Sequence, residues 1–148
     1  MPIIYDEKKR VFKLDTPNTT YAFHVTNSNH LLHLYYGASI PETDITHMLR
    51  IPNDEPFVPS THDGMGPHSF DCAAIEFPTS VADFREPCMQ LMDKYGMSAC
   101  ECYYDSCAIY KGKKKLEGLP ATYANTDDEV TSLEVYCKDP HNGLEITL

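Results

Sequence analysis

The sequence contains no tryptophan and only seven glycines in 148 residues. It has no apolar stretch near the roughly 18 residues that a membrane-spanning helix needs, and no apolar core of signal-peptide length near its start. Basic residues are scarce as well, with 12 Lys and Arg against 22 Asp and Glu and a net charge of −10. An acidic surface repels phosphate backbones and anionic lipids. We therefore expect a soluble, cytoplasmic protein that binds neither nucleic acid nor membranes.

Tyrosine, phenylalanine and proline are well represented, with ten, six and eleven residues. This composition favours extended, aromatic-rich structure over a helical bundle. Alternating apolar and polar residues predict short strands between turn signals, at Val11–Leu14, Thr20–Val25, Leu31–Gly37, Ser69–Phe77, Cys88–Met92, Ala99–Tyr110, Thr131–Cys137 and Leu144–Leu148. The pattern predicts an all-β, antiparallel β-sandwich with little helix, built as one domain over residues 1–148.

Within Leu31–Gly37, strict alternation places Leu32, Leu34 and Tyr36 on one face of the strand. The next segment, 38–67, is rich in proline and has no sustained period, apart from a possible helical turn at Thr43–Leu49. A loop of this length in a compact domain is usually functional or disordered. Segment 38–67 is therefore the first place to look for a functional residue.

The stretch Ile109–Tyr123 (IYKGKKKLEGLPATY) joins a strand to a lysine-rich turn and a Gly-Leu-Pro bend. Gly112 can adopt a positive φ at a tight turn, and Pro120 favours an extended conformation at Leu119. We expect a solvated hairpin tip followed by the start of another extended segment. The lysines are better explained as a charged turn that discourages aggregation than as an anion-binding patch.

Cysteine and histidine are the residues that could suggest a metal site. Cys100 and Cys102 share one face of a predicted strand, with Cys107 five residues on. Structural zinc sites usually pair cysteines two to four residues apart on a turn, with a second pair elsewhere. We therefore favour buried free thiols and expect no metal. The three histidines at 24, 30 and 33 are interpreted as exposed surface residues.

Chemistry alone identifies no reaction. A glycosidase needs two carboxyl groups facing the scissile bond, but spacing nominates no pair among the 22 acidic residues. No nucleophile elbow, phosphate-binding loop or dinucleotide fingerprint is present. We accordingly expect no cofactor.

Several motifs in order resemble one family along nearly the whole chain. They are Pro2–Phe12 (PIIYDEKKRVF), Leu31–Gly37 (LLHLYYG), Ser69–Arg85 with its Glu-Phe-Pro and Asp-Phe-Arg elements, Ile109–Tyr123, and Thr131–Leu148. Together they resemble the N-terminal domain of bacterial α-galactosidases of glycoside hydrolase family 36. Several separated motifs in the correct order are far more specific than any one of them.

The resemblance implies a supersandwich fold like that of galactose mutarotase, followed in full-length members by a catalytic (β/α)₈ barrel. That barrel carries the aspartates of a retaining hydrolysis of terminal α-linked galactose, so this chain alone is expected to be inactive. The resemblance also implies a homotetramer in which a loop reaches a neighbour's active site. It assigns that role to Asp54 and Phe57, as a hydroxyl acceptor and an apolar wall for the galactoside substrate.

Two other functions remain as alternatives. The chain could act alone as a carbohydrate-binding β-sandwich, since its ten tyrosines can supply the aromatic platform that a sugar needs. A thiol-based metal module is the third reading, through Cys100 and Cys102. Sugar binding by the isolated chain would favour the first alternative, and bound zinc would favour the second.

Overall fold

The structure of the chain, a computed structural model, describes residues 2–41, 44–49, 74–79, 86–114, 116–120, 124 and 126–148. These residues form seven strands: β1 Ile3–Asp6, β2 Val11–Asp15, β3 Thr19–Val25, β4 Leu31–Ala38, β5 Tyr103–Lys111, β6 Thr131–Asp139 and β7 Leu144–Thr147. Two 3₁₀ turns are present, Thr46–Met48 and Asp127–Glu129. None of the helical turns in the described part of the chain is long and apolar enough to cross a bilayer.

The strands form two antiparallel sheets. The first is the meander β1-β2-β3-β4, and the second is β5-β6-β7. Each neighbouring pair is consecutive in sequence, as expected where most turns are short. The predicted all-β sandwich with little helix is confirmed, and the helical turn expected near residue 46 is present as a single 3₁₀ turn.

Most predicted strands are found with small shifts at their ends, but three differ. The long run from Ala99 becomes a strand only at Tyr103. Residues 88–92 form no strand, and of Ser69–Phe77 only the described end is seen, where Ile75 makes an isolated bridge to Leu32. Proline at 78 and 87 removes backbone donors around these two segments, which limits their pairing.

The main core lies between the two sheets. The first sheet contributes Phe12, Phe23, Val25 and Leu31, the second contributes Val135 and Cys137, and the segment before β5 adds Cys100 and Cys102. Phe12 stacks on Phe23 with ring centroids 4.7 Å apart and on Tyr5 at 4.1 Å. The alternation predicted for β3 is confirmed, because Phe23 and Val25 face this core while Ala22 faces the other side.

The opposite face of the first sheet has a small core of its own. Val11, Ala22 and Leu34 are buried there under Ile45, which has no exposed surface. Ile45 belongs to the segment 44–49 that carries the first 3₁₀ turn. The first sheet is therefore covered on both faces over part of its area.

A β-bulge in β4 changes which side chains share a face. Ala22 pairs with Tyr35 but Phe23 pairs with His33, so Leu34 is an extra residue in the ladder. Such a bulge reverses the side-chain alternation beyond it. Tyr36 consequently lies opposite Tyr21 and shares a face with His33. The predicted grouping of Tyr36 with Leu32 and Leu34 is wrong for this reason.

The stretch beginning at Ile109 is a strand followed by a long connection. β5 and β6 are antiparallel partners, and Gly112 starts the connection with φ at 88° and a hydrogen bond from its N–H to Val130 O. The expected turn at Gly112 is therefore confirmed. The extended segment expected after Pro120 falls on residues 121–123, which lie outside the described residues, and the next described strand begins at Thr131.

Candidate functional site

The two predicted site residues, Asp54 and Phe57, lie outside the described residues. Their segment can be located through its described flanks, which end at Leu49 on one side and begin at Ala74 on the other. Both flanks contact the first sheet. The structure therefore shows where the described residues on either side of this segment lie.

The near flank is fixed by one buried side chain and one ion pair. Ile45 packs against the outer core of the first sheet, with Leu49 alongside. Lys9, in the turn between β1 and β2, forms a salt bridge with Asp44. The hydrogen bond from Lys9 lowers the pKa of Asp44 to about 2, so the pair stays charged at neutral pH. These contacts hold the start of the segment against the sheet.

The far flank pairs with the edge of β4. The His33 N–H donates to Ala74 O at 2.7 Å, and the Glu76 N–H donates to Leu31 O at 2.9 Å. These bonds extend the sheet by a short piece of backbone and satisfy edge groups that β4 would otherwise expose. The segment that contains both predicted site residues thus begins and ends on the same sheet.

A small group of polar and aromatic side chains lies at this far flank, and we call it the loop-base patch: Tyr21, His33, Tyr36 and Glu76. His33 Nδ1 lies 3.2 Å from Glu76 Oε2. The Tyr21 ring is 5.7 Å from the imidazole and 6.2 Å from the Tyr36 ring. Tyr36 is 70% exposed, so its ring is open to solvent or to a ligand.

The loop-base patch is suited to recognition of hydroxyl groups. Burial raises the pKa of Glu76, while the imidazole of His33 offers it a hydrogen-bonding partner. A retaining glycosidase needs two carboxyl groups about 5–5.5 Å apart, and the patch contains a single carboxyl group among its four residues. The arrangement can therefore bind or position a polar ligand, but it is not a hydrolytic pair.

Sequence reasoning missed this patch because two of its features are not local. The bulge at Leu34 places Tyr36 on the same face of β4 as His33, and no residue type in β4 predicts this bulge. Glu76 is distant from His33 in sequence, and the pairing of residues 74–76 with β4 brings the two side chains together. The signal that could have been used was a histidine and a carboxylate on adjoining predicted strands.

The prediction of three exposed histidines is wrong, because His30 is buried and His24 and His33 are half-buried. His30 is buried, with 6% of its surface exposed, because residues from before β5 cover the turn that contains it. His24 is half-buried, and its Nδ1 is a buried ring nitrogen without a hydrogen-bond partner. His33 is paired with Glu76, and 36% of its side chain is exposed.

The cysteines are mostly core residues. Cys100, Cys102 and Cys137 are buried, as expected, whereas Cys107 is half-buried and Cys88 is exposed, which the sequence did not predict. Burial raises the pKa of Cys102 to about 12 and that of Cys137 to about 11. Thiols bind metals as thiolates, and the described residues contain no group of three or more potential ligands placed to hold a metal ion.

Comparison with known families supports a specific relationship. The profile described as "Glycosyl hydrolase family 36 N-terminal domain" matches residues 29–148. Alpha-galactosidase AgaA from Geobacillus stearothermophilus is 31% identical over 150 residues, which cover 100% of this chain and 20% of the relative. The bifunctional alpha-galactosidase/sucrose kinase AgaSK from Mediterraneibacter gnavus is 31% identical over 153 residues, with 100% of this chain and 16% of the relative covered.

Solved structures agree with the sequence relatives. The alpha-galactosidase AgaB from Geobacillus stearothermophilus superposes with a TM-score of 0.85 at 30% identity, over 100% of this chain and 20% of that one. The galactosidase domain of AgaSK superposes with a TM-score of 0.88 at 31% identity, over 99% and 20%. The chain therefore spans about a fifth of the length of these proteins.

Proposed function

Because this chain belongs to the family of glycosyl hydrolase family 36 N-terminal domains, we propose that it acts as the non-catalytic N-terminal part of an α-galactosidase. In this role it supports a catalytic domain that the chain itself does not contain. The observation that carries the proposal is the match along the whole chain to about a fifth of known α-galactosidases, in sequence and in fold.

The parent enzyme would hydrolyse terminal α-linked galactose with retention of configuration. The relatives' names support the substrate class, since AgaA has been crystallised in complexes with raffinose and with stachyose. In this proposal the reacting carboxylates belong to a (β/α)₈ barrel, and the two sheets described here form part of a larger supersandwich that packs beside it. The described residues supply the scaffold.

In this proposal, the segment that contains the predicted site residues Asp54 and Phe57 contributes to substrate binding in the assembled enzyme. Both of its flanks are anchored on the first sheet, by Ile45 and by the pairing of Ala74 with β4. We propose that Asp54 and Phe57 bound the galactose subsite of a neighbouring subunit. Tetrameric assembly and a cytoplasmic location belong to the same proposal.

The experiment that tests the non-catalytic role is a hydrolysis assay of the purified chain with an aryl α-galactoside. We expect no release of the phenol above the uncatalysed rate, at any pH between about 4 and 8, the range in which glycosidase carboxyl groups operate. A steady release that scales with protein concentration and survives repurification would contradict the proposal.

A further inference from the structure

The outer face of the second sheet carries two tyrosine hydroxyls that converge on one carboxylate. Tyr110 donates to Glu134 Oε1 at 3.0 Å, and Tyr136 donates to Glu134 Oε2 at 2.7 Å. The alternation of β6 places Glu134 and Tyr136 on this face, whereas Val135 and Cys137 point into the core. One carboxylate oxygen is thus held by a tyrosine on the neighbouring strand β5 and the other by a tyrosine on β6 itself.

A lysine completes the group, which we call the outer-face cluster: Tyr110, Lys114, Glu134 and Tyr136. Lys114 Nζ lies 3.3 Å from Glu134 Oε1, and 66% of its side chain is exposed. The hydrogen bond from Tyr136, and to a smaller extent that from Tyr110, holds the pKa of Glu134 below its ordinary value. The carboxylate therefore remains an acceptor at neutral pH, and the phenols remain donors.

Two depressions meet at the outer-face cluster. Their volumes are about 400 and 410 Å³, and both are lined by Tyr110, Lys113, Lys114 and Glu134. The larger one continues to Leu116, which is 56% exposed. Volumes of this size fall in the range of small-molecule sites, which combine apolar walls with a few convergent polar groups.

We propose that the cleft at the outer-face cluster binds a neutral, hydroxyl-rich ligand, namely a saccharide. The carboxylate of Glu134 is paired with Lys114, so the centre of the cleft is a neutralised ion pair, with Lys111 and Lys113 lining the smaller depression beside it. Phenol rings and Leu116 offer apolar surface for the C–H face of a sugar ring. The carboxylate, the ammonium and the phenol oxygens offer acceptors and donors for its hydroxyls.

This site is separate from the loop-base patch, which lies on the first sheet, and it does not depend on the role proposed above for the parent enzyme. A non-catalytic domain with this site would hold part of a saccharide on its own surface. If the chain binds no saccharide, the proposed role in an α-galactosidase is unaffected. If the isolated chain is catalytically active, the non-catalytic role is refuted but the saccharide site is not.

The test is a titration of the ¹⁵N-labelled chain with methyl α-galactopyranoside, followed by ¹H–¹⁵N correlation spectra. We expect saturable shifts concentrated on residues 110–114 and 132–136, with a dissociation constant of about 1 mM. Methyl α-glucopyranoside and raffinose, titrated in parallel, report on preference for the sugar and for chain length. Absence of shifts at about 50 mM sugar, roughly fifty times the expected constant, would overturn the proposal.

Variants locate the binding. Glu134→Ala and Tyr136→Ala should each weaken binding at least tenfold, whereas Tyr95→Ala, which removes a tyrosine that is 78% exposed on another loop, should leave it unchanged. If Tyr136→Ala does not fold, Tyr136→Phe and Glu134→Gln remove the polar contact alone and should still weaken binding severalfold. Shifts centred on Tyr21 and Tyr36, or binding unaffected by every cluster variant, would place the ligand elsewhere and refute the proposal.

Discussion

His30 Nε2 lies 3.0 Å from Glu101 Oε1, across a separation of 71 residues. His30 belongs to the turn between β3 and β4, and Glu101 lies just before β5, so this contact joins the two sheets. Nearby, the Tyr104 N–H donates to Asn29 O at 2.7 Å, and the guanidinium of Arg10 donates to Thr26 O and to Asn29 Oδ1. Polar contacts therefore close one end of a sandwich whose middle is apolar.

Replacement of His30 by alanine should destabilise the chain by about 1–3 kcal/mol, because a buried hydrogen-bonding partner of Glu101 is lost. The measurement is the free energy of unfolding from urea denaturation followed by circular dichroism. His47→Ala, at an exposed histidine in the first 3₁₀ turn, is the matched control and should change stability by less than about 0.5 kcal/mol. Equal changes in the free energy of unfolding for the two substitutions would show that the His30–Glu101 contact does not stabilise the fold.

Lys13 and Asp15 form a second buried pair, at a separation of 2.6 Å, with side chains 5% and 15% exposed. Thr20 also donates to Asp15, at 2.5 Å. Asp15→Asn should cost about 3–5 kcal/mol, because it leaves the ammonium of Lys13 buried without its counter-charge. The double variant Lys13→Met/Asp15→Asn should recover much of that loss in the same urea experiment. A double variant at least as unstable as the single one would show that the charge is not the cause.

His24 predicts a dependence of stability on pH. Burial lowers the pKa of His24 in the folded chain below its ordinary value. The unfolded chain, with a pKa near 6.5, then binds a proton more readily, so protonation favours unfolding. The contribution of His24 to stability is complete above about pH 6.5 and declines as the pH falls from there to the lowered pKa of the folded chain. In the His24→Gln variant, the urea midpoint of unfolding should change less with pH over this interval. A pH dependence equal to that of the unsubstituted chain would contradict a contribution from His24.

A chimera can test the predicted site residues. In it, this chain replaces the matching N-terminal fifth of AgaA from Geobacillus stearothermophilus. Asp54→Ala should raise KM for raffinose about tenfold or more, the effect of losing about 1.5 kcal/mol from a hydrogen bond to a charged group. Phe57→Ala should raise KM as well. The control is Asp128→Ala, at an exposed carboxylate, and an equal effect of that substitution would exclude a specific role for Asp54.

The sequence predicts the parts of this fold that depend on local alternation. Alternation along Thr20–Val25 puts Tyr21, Phe23 and Val25 on one face, and Phe23 and Val25 are buried on that face in the main core. The bulge at Leu34 was not predictable, because it reflects how β3 and β4 settle their register once both faces are packed. The burial of His30 was not predictable either, because the residues that cover it belong to the segment around Glu101, 71 positions away.

The same distinction holds for the sites. The Pro-rich, aperiodic composition of 38–67 marks this segment as a candidate for function. The loop-base patch and the outer-face cluster could not be predicted, because each joins residues that are distant in sequence. Glu134 reaches Tyr110 across 24 positions, and His33 reaches Glu76 through the pairing of residues 74–76 with β4. Side-chain convergence of this kind follows from strand register, which a single sequence specifies only weakly.

The most direct test of the account is the α-galactosidase activity of the unsubstituted chimera with AgaA, measured with an aryl α-galactoside beside a deletion variant that lacks the N-terminal fifth. We predict that the folded chimera retains activity within about tenfold of AgaA, a loss of no more than about 1.4 kcal/mol in transition-state stabilisation, whereas the deletion variant has none. Circular dichroism and size-exclusion chromatography establish that each protein is folded and assembled. A folded, assembled chimera without activity, or a deletion variant as active as AgaA, would contradict the account.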